Sequence, residues 1–276
     1  MYKTPQWKKI TYQGSRTSVV AKALELNVYD CSEFLAKAPI ELVESIVHEQ
    51  GSGYIQYVMS CLDVARLTIY KEQIKDRWQV LLDFHQKCSF DDKECGEWAK
   101  WFHIQGIDPI QFINDLKSVL QCSHPKKNTL RIWGQASTGK TMIVRAIAKP
   151  FLCHFQGMCG AHSDFAFEGF INIVVAVVEE AFFIPKEVED WKTIMSGQSL
   201  TVNKKYQGKQ TIHRTPVLMT SNHFKLGRGY VKLIDEHALQ TRMFDYHANI
   251  VYSPEIKLTG AGFSAYVNEL LGSCTS

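Results

Sequence analysis

The eight residues from Gly134 to Thr141 read GQASTGKT and fit the pattern G-x-x-x-x-G-K-T of a phosphate-binding loop. Residues 129–133 before the loop have the composition of a short strand, and residues 142–148 after it have that of a helix. A strand, a glycine-containing loop and a helix in this order are the context in which the pattern binds phosphate. The alternative, a glycine turn followed by an incidental Lys-Thr, does not account for these flanking segments.

Each position of this phosphate loop has a chemical reason. Gly134 and Gly139 permit backbone turns that a Cβ atom would hinder, so that successive amides point into one concavity. Lys140 is placed to reach the β- and γ-phosphates of a nucleotide, and the Thr141 hydroxyl is placed to ligate Mg²⁺. We therefore expect this loop to bind a nucleoside triphosphate and its metal ion. The remaining loop positions are Gln135, Ala136, Ser137 and Thr138.

Two carboxylates follow the most apolar run of the chain. Residues 171–178 are mostly β-branched, which is typical of a strand buried on both faces, and Glu179 and Glu180 come directly after them. Ligands bind at the carboxyl edge of a parallel sheet, so the pair should lie beside the phosphate loop. We assign Glu179 to Mg²⁺ and Glu180 to the attacking water, although the sequence does not separate the two roles. A charged pair that simply ends a strand is the alternative.

Asn222 ends a second, shorter apolar run at residues 216–220. A polar side chain at the tip of a neighbouring strand can hold the hydrolytic water or sense the γ-phosphate. An asparagine after a strand is also common in turns. The position of Asn222 after the loop and the acidic pair favours the sensor.

Residues 202–212 have the pattern of a hairpin with a basic, aromatic tip. Its candidate nucleic-acid contacts are Lys204, Lys205, Tyr206 and Lys209. Lysines there can contact a phosphate backbone, and Tyr206 can stack on a base. A solvated basic turn is the alternative.

Composition sets broad limits on the protein. Its 276 residues are 45 % hydrophobic and 21 % charged, which is typical of one large or two modest globular domains. The net charge of +3 neither requires nor excludes a nucleic-acid partner. The eight cysteines are scattered without a C-x-x-C, which favours reduced thiols in an intracellular protein. No run approaches the ~18 apolar residues of a membrane span, so we expect a soluble protein without a membrane partner.

The two halves of the chain have different patterns. Residues 1–127 are predicted to be mostly helical; one apolar stripe covers residues 35–50, and Asp108-Pro109 has the N-cap and N1 chemistry of another helix start. Residues 128–276 alternate strand-like and helix-like segments, as in an α/β fold with a parallel sheet. The polar, proline-containing residues 122–128 are the predicted domain boundary.

Taken together, the motifs from residue 128 to about 250 resemble those of superfamily 3 helicases, specifically the helicase part of a parvovirus large nonstructural (Rep-type) replication protein. Besides the hairpin, the motifs that carry the resemblance are, in chain order, Gly134–Thr141, Phe165–Phe167, Glu179–Glu180, Ser196–Gln198, Thr215–Asn222 and Leu239–Phe244. The resemblance implies an AAA+-like P-loop ATPase core with a central parallel sheet. It also implies a preceding small helical domain that includes an oligomerisation domain.

The resemblance further implies roles for individual residues. Gly134, Gly139, Lys140 and Thr141 match the ATP-phosphate and Mg²⁺ site, and Glu179 and Glu180 match the acidic pair. Asn222 matches the sensor, and Arg242 matches the arginine finger that reaches the ATP of a neighbouring subunit. A site shared between subunits implies a ring, which in this family is a homo-hexamer. The implied activity is ATP-dependent unwinding during viral DNA replication, with translocation on single-stranded DNA in the host cell nucleus.

Two departures from the family pattern qualify these expectations. Gln207 occupies the position of a second hairpin lysine, so that Lys204 or Lys209 would have to replace it. The chain contains no His-x-His, the metal motif of the nickase found in full-length members. Either this chain is a helicase fragment of a longer protein, which is the interpretation we favour, or the nickase is absent. The alternatives are another ring ATPase, such as a packaging motor or a protein remodeller, and a DNA-binding oligomerisation module stabilised by its nucleotide.

Overall fold

The structure, a computed structural model, describes residues 15–156, 167–204 and 208–273. The chain divides into two compact units between Glu72 and Gln73. This division lies well before the boundary predicted at residues 122–128, because the helices after Gln73 pack with the sheet-containing unit. The Gln73 side chain, for example, donates to Pro150 O (2.8 Å) and accepts from Leu152 N (2.7 Å).

The first unit is helical in its described residues. Its α-helices are α1 (Ser15–Leu26), α2 (Cys31–Lys37), α3 (Ile40–Gln50) and α4 (Tyr54–Gln73). They enclose a small apolar core that includes Val19, Phe34, Ile46, Val58 and Leu62. The single stripe predicted over residues 35–50 is divided between α2 and α3, because Ala38 precedes a proline and takes an extended conformation.

The second unit has seven α-helices among its described residues: α5 (Arg77–Leu82), α6 (Lys93–Gln105), α7 (Pro109–Leu120), α8 (Lys140–Ala148), α9 (Val188–Met195), α10 (Leu233–Gln240) and α11 (Gly260–Ser273). The helix start predicted at Asp108-Pro109 is confirmed: the Asp108 carboxylate accepts from Ile110 N at 2.9 Å, and Pro109 opens α7. Across the described parts of the chain, none of the helices combines the length and apolarity needed to cross a membrane.

A five-stranded parallel sheet forms the centre of the second unit. The described part of this unit has seven strands in chain order: β1 (Thr129–Trp133), β2 (Cys153–Gln156), β3 (Val175–Val178), β4 (Leu200–Lys204), β5 (Gly208–Ile212), β6 (Val217–Ser221) and β7 (Met243–His247). Five of them form the parallel sheet in the order β2-β3-β6-β1-β7, and the other two, β4 and β5, form a separate antiparallel pair. The predicted α/β class with a central parallel sheet is confirmed. Strand β3 is completely buried, as its β-branched composition predicts, but it starts only at Val175.

A buried ion pair joins β1 to the edge strand β7. The Arg131 side chain is fully buried and bonds both carboxylate oxygens of Asp245, at 2.7 and 2.6 Å. Its third nitrogen donates to Phe224 O at 2.8 Å, in the segment that follows β6. Arg131 therefore fixes β7 and this segment relative to β1.

Replacing Asp245 with alanine should lower the free energy of unfolding by about 3 kcal/mol, because it leaves the buried Arg131 charge without its counter-ion. Urea unfolding followed by circular dichroism would measure the loss. The double variant Arg131→Met/Asp245→Leu removes both charges and should be more stable than Asp245→Ala. Equal stability of Asp245→Ala and the wild type would show that the ion pair contributes little.

Candidate active site

The phosphate loop joins β1 to α8 and is closely surrounded at both of its glycines. Gly134 has a φ of 141°, and a Cβ atom there would lie 1.9 Å from Ala248 O. Gly139 has a φ of 87°, and a Cβ atom there would lie 2.7 Å from Trp101 Nε1. Both positions therefore require glycine, for conformation and for space.

Lys140 is buried at the start of α8, and its ammonium group is folded onto the loop. Nζ donates to Gly134 O at 2.9 Å and also to Gln135 O, and it lies 3.4 Å from Thr138 Oγ1. Burial lowers the pKa of Lys140, while the negative charge of Glu180 opposes this shift. Within the described residues, no carboxylate forms an ion pair with Lys140. A buried ammonium without a counter-ion, beside a glycine loop and a helix N-terminus, fits a triphosphate.

The other predicted side chains lie at the same edge of the sheet. Strand β6 lies between β3 and β1, so the ends of all three strands adjoin the loop. Gly134 N donates to Ser221 O (3.1 Å), one residue before Asn222, and Glu180 N donates to Thr220 Oγ1 (3.2 Å). The fold thus places the loop, the acidic pair and Asn222 along one carboxyl edge, as their order in the chain predicts.

The two acidic residues differ in their surroundings. Glu179 accepts from Arg145 of α8 through both carboxylate oxygens, at 2.6 and 2.8 Å. Glu180 is exposed and takes a left-handed conformation (φ 53°) that directs the chain away from β3. A Mg²⁺ ion at Glu179 would have to share that carboxylate with Arg145, so the division of roles stays a prediction.

A metal ion at this site would depend on the nucleotide. No group of three or more His, Cys, Asp or Glu side chains suited to a metal ion occurs in the parts of the chain that the structure describes. The Thr141 hydroxyl at the exposed start of α8 and the acidic pair are oxygen donors, which Mg²⁺ prefers. They fit a Mg²⁺ ion that is also held by phosphate oxygens.

Sequence reasoning missed a second set of residues, which holds the loop from outside its motif. Trp101 Nε1 of α6 donates to Thr138 O at 2.9 Å, and the Gln105 amide bonds both the N–H (3.0 Å) and the C=O (2.7 Å) of Ile250. After β7, Tyr252 N donates to Ser137 O at 2.9 Å. These residues lie far from the loop in sequence and form no motif, so no local pattern could have identified them.

Replacing Trp101 with phenylalanine should weaken nucleotide binding about fivefold and lower the free energy of unfolding by about 1 kcal/mol, because the Thr138 carbonyl loses its main donor. Trp98→Phe is a matched control. Trp98 is equally buried one turn earlier on α6, but its Nε1 has no hydrogen-bond partner in the described part of the chain. Titration with a fluorescent ADP analogue and urea unfolding would measure both effects, and equal losses in the two variants would contradict this role of Trp101.

Arg242 is the predicted site residue that the fold does not bring to the loop of its own chain. It precedes β7, and its carbonyl accepts from Asn128 N (3.3 Å) just before β1 begins. The phosphate loop begins where β1 ends, five paired residues farther along. Five strand residues span about 16 Å, which is farther than an arginine side chain extends. One guanidinium nitrogen donates to Ala238 O, and Nε is buried without a partner among the described residues.

The predicted DNA-binding residues are only partly described. The β4–β5 pair confirms the predicted hairpin, and Lys209 is exposed on β5. Lys205 and Tyr206 lie outside the described residues, and for Lys204 only the backbone is described, at the end of β4. Their contact with DNA stays a prediction.

Comparison with known proteins agrees with this geometry. The family model described as parvovirus non-structural protein NS1 matches residues 66–260. The initiator protein NS1 of feline panleukopenia virus is 26 % identical over 217 residues, covering 78 % of this chain and 53 % of that protein. The initiator protein NS1 of murine minute virus (strain MVMi) is 33 % identical over 196 residues, covering 69 % of this chain and 28 % of that protein. The chain thus spans about half or less of the length of these relatives.

Solved structures support the fold independently of sequence. The X-ray structure of the JCV helicase matches with a TM-score of 0.54 at 15 % identity, covering 86 % of this chain and 78 % of that one. The same helicase in complex with a substituted acetamide matches with a TM-score of 0.56 at 14 % identity. At this identity the likeness shows only that this chain shares its fold with that helicase.

Proposed function

Because the chain belongs to the parvovirus non-structural protein NS1 family, we propose that it is the ATP-driven helicase part of a viral replication initiator. The family and the helicase fold support a replication helicase. The observation that carries the proposal of ATP hydrolysis is the buried Lys140, whose ammonium group has no carboxylate partner in the described residues and lies at the sheet edge shared with Glu180 and Asn222.

The residues of the site have distinct tasks in this proposal. Lys140 exchanges its loop carbonyl partners for phosphate oxygens and offsets their charge. Glu180 accepts a proton from the attacking water, and Asn222 orients that water. Thr141 and Glu179 hold Mg²⁺, which requires Glu179 to share or release Arg145. When bound, ATP supplies the phosphoryl group whose transfer to water drives the motor.

The position of Arg242 supports a site shared between subunits. About 16 Å of strand separates Arg242 from the phosphate loop of its own chain, so its guanidinium can complete only the site of another copy. We propose a ring, a homo-hexamer by family resemblance. The first unit would contribute to its assembly, since Ile40, Met59 and Val64 present exposed apolar side chains there.

The partner of the ring is proposed to be single-stranded DNA. Hydrolysis would move the β4–β5 hairpins along the strand, with Lys204, Lys205 and Lys209 on phosphates and Tyr206 against a base or sugar. Replication of viral DNA in the host cell nucleus follows from the family resemblance and is part of the same proposal.

Steady-state ATP hydrolysis, measured with and without single-stranded DNA over a range of protein concentrations, tests the proposal. We expect turnover per chain to rise with concentration and to be stimulated by DNA. Concentration-dependent turnover that ignores DNA would favour another ring ATPase, such as a packaging motor. Nucleotide binding without turnover at any concentration would instead favour a DNA-binding oligomerisation module.

A further inference from the structure

The guanidinium group of Arg145 contacts the acidic residue that is assigned to Mg²⁺. Arg145 Nε and Nη2 donate to the two carboxylate oxygens of Glu179, at 2.6 and 2.8 Å. On α8, Arg145 lies four residues after Thr141, and side chains four residues apart share one face of a helix. Both residues assigned to the metal ion are therefore neighbours of one guanidinium group, which Glu179 binds and Thr141 adjoins on the helix.

This ion pair uses the oxygens that a metal ion would need. A bidentate arginine–carboxylate pair engages both carboxylate oxygens and is stronger than a single hydrogen bond. The Glu179 side chain is 19 % exposed and that of Arg145 is 59 % exposed, so solvent screening limits the strength of the pair. A pair of this kind can hold Glu179 before a nucleotide binds, and a divalent cation can still displace it.

An aromatic ring contacts the same guanidinium group. The centre of the Phe155 ring on β2 lies 5.8 Å from the guanidinium carbon of Arg145, which is within the range of a cation–π interaction. Strand β2 pairs with β3, and Glu179 N, just after β3, donates to Gln156 O at 3.0 Å. The ring and the carboxylate are thus fixed on adjacent strands, and both stabilise the guanidinium in one position.

We propose that Arg145 is a positioning residue that competes with Mg²⁺ for the carboxylate of Glu179. Without a nucleotide, the guanidinium holds the carboxylate. Glu179 exchanges the guanidinium for the metal ion when a Mg²⁺–nucleotide complex binds, because a divalent cation attracts a carboxylate more strongly than an exposed guanidinium does. This inference rests on the proposed function, since that function places the Mg²⁺–nucleotide complex at this sheet edge.

The competition has a thermodynamic signature. A nucleotide without Mg²⁺ leaves the ion pair intact, whereas a nucleotide with Mg²⁺ binds fully only after the pair has opened. The apparent affinity for the Mg²⁺ complex is therefore reduced by the fraction of chains in which Glu179 is free. The contribution of Mg²⁺ is measured by a magnesium ratio, defined as the nucleotide dissociation constant in EDTA divided by that in saturating Mg²⁺.

Replacing Arg145 with glutamine should raise the magnesium ratio about fivefold, because Glu179 is then free to bind the metal ion. Titration with a fluorescent, non-hydrolysable ATP analogue would measure both dissociation constants. Arg145→Lys keeps the charge but loses the bidentate geometry, and its ratio should lie between those of the wild type and Arg145→Gln. Lys149→Gln is the matched control for loss of a positive charge, since Lys149 is exposed just after the last residue of α8, and its ratio should stay near that of the wild type.

A second variant tests the contact with the ring without changing any charge. Phe155→Leu keeps an apolar side chain on β2 but removes the cation–π interaction, and it should raise the magnesium ratio about twofold. Urea unfolding followed by circular dichroism would verify that each variant is folded. An unchanged ratio in this variant would exclude a role for Phe155 in holding Arg145.

The outcomes separate this inference from the proposed function. A ratio above one in the wild type that is unchanged or lower in Arg145→Gln would overturn the competition and leave the proposed ATPase intact. Ratios of one in the wild type and in every variant would overturn the competition together with the proposed Mg²⁺ site. A raised ratio in Arg145→Gln, with no ATP turnover by the wild type, would support the competition and contradict the proposed ATPase.

Discussion

Replacing Arg242 with alanine should reduce ATP turnover about 10³–10⁵-fold, the effect of an arginine finger in GTPases, while nucleotide affinity stays within a few-fold of the wild type. The reason is positional. Arg242 lies just before β7, whereas the loop of its own chain lies beyond the end of β1. In the proposed ring it would therefore contribute to hydrolysis on a neighbour rather than to binding on its own chain. Single-turnover hydrolysis and titration with a fluorescent nucleotide would separate the two effects.

The decisive control for Arg242 is complementation between chains. An Arg242→Ala chain keeps its loop, and a Lys140→Ala chain keeps its arginine, so mixing these two inactive proteins should restore part of the turnover. Arg242→Lys keeps the charge but loses the planar donor geometry, and it should fall between wild type and alanine. An Arg242→Ala protein that retains full turnover as a monomer would contradict a shared site.

Replacing Lys140 with alanine should reduce turnover about 10²–10³-fold, comparable to removal of a donor that stabilises transition-state charge, and should also weaken ATP binding. Lys140 is the buried cation of the loop, and its hydrogen bonds to Gly134 O and Gln135 O show that its ammonium group already lies within the cradle. Lys149→Ala, at the exposed end of the same helix, is the control for a general loss of positive charge. Equal turnover of the two variants would exclude a role for Lys140 in phosphate binding.

The sequence predicted those parts of the structure that depend on neighbouring residues. The strand–loop–helix at Gly134–Thr141, the helix start at Asp108-Pro109 and the hairpin around residues 202–212 are local patterns, and the structure contains each of them. The shared sheet edge was also predictable, because the carboxyl ends of parallel strands necessarily lie on one side.

Features that depend on distant partners were not predictable. Helices α5–α7 precede the first strand in the chain, as the helices of the first unit do, and nothing in their composition assigned them to the sheet-containing unit. The Arg145–Glu179 pair joins residues 34 positions apart, and the Trp101–Thr138 bond joins residues 37 positions apart. The periodicity that predicts a helix does not specify which of its side chains reach a loop elsewhere in the fold.

The two ends of β7 have a consequence for how a ring would work. At one end is Arg242, which in the proposed ring would reach a neighbour. At the other end is Ala248, whose carbonyl lies against Gly134 and whose N–H donates to Trp133 O at 2.8 Å. Because β7 is paired to β1 along its whole length, the loop contact and the Arg242 contact would act on one strand in the proposed ring. Occupancy of one chain would therefore bias the next, and by thermodynamic reciprocity the next would bias the first. Such a ring would have a fixed direction around its axis, because each chain would contact one neighbour through Arg242 and the other through its phosphate loop.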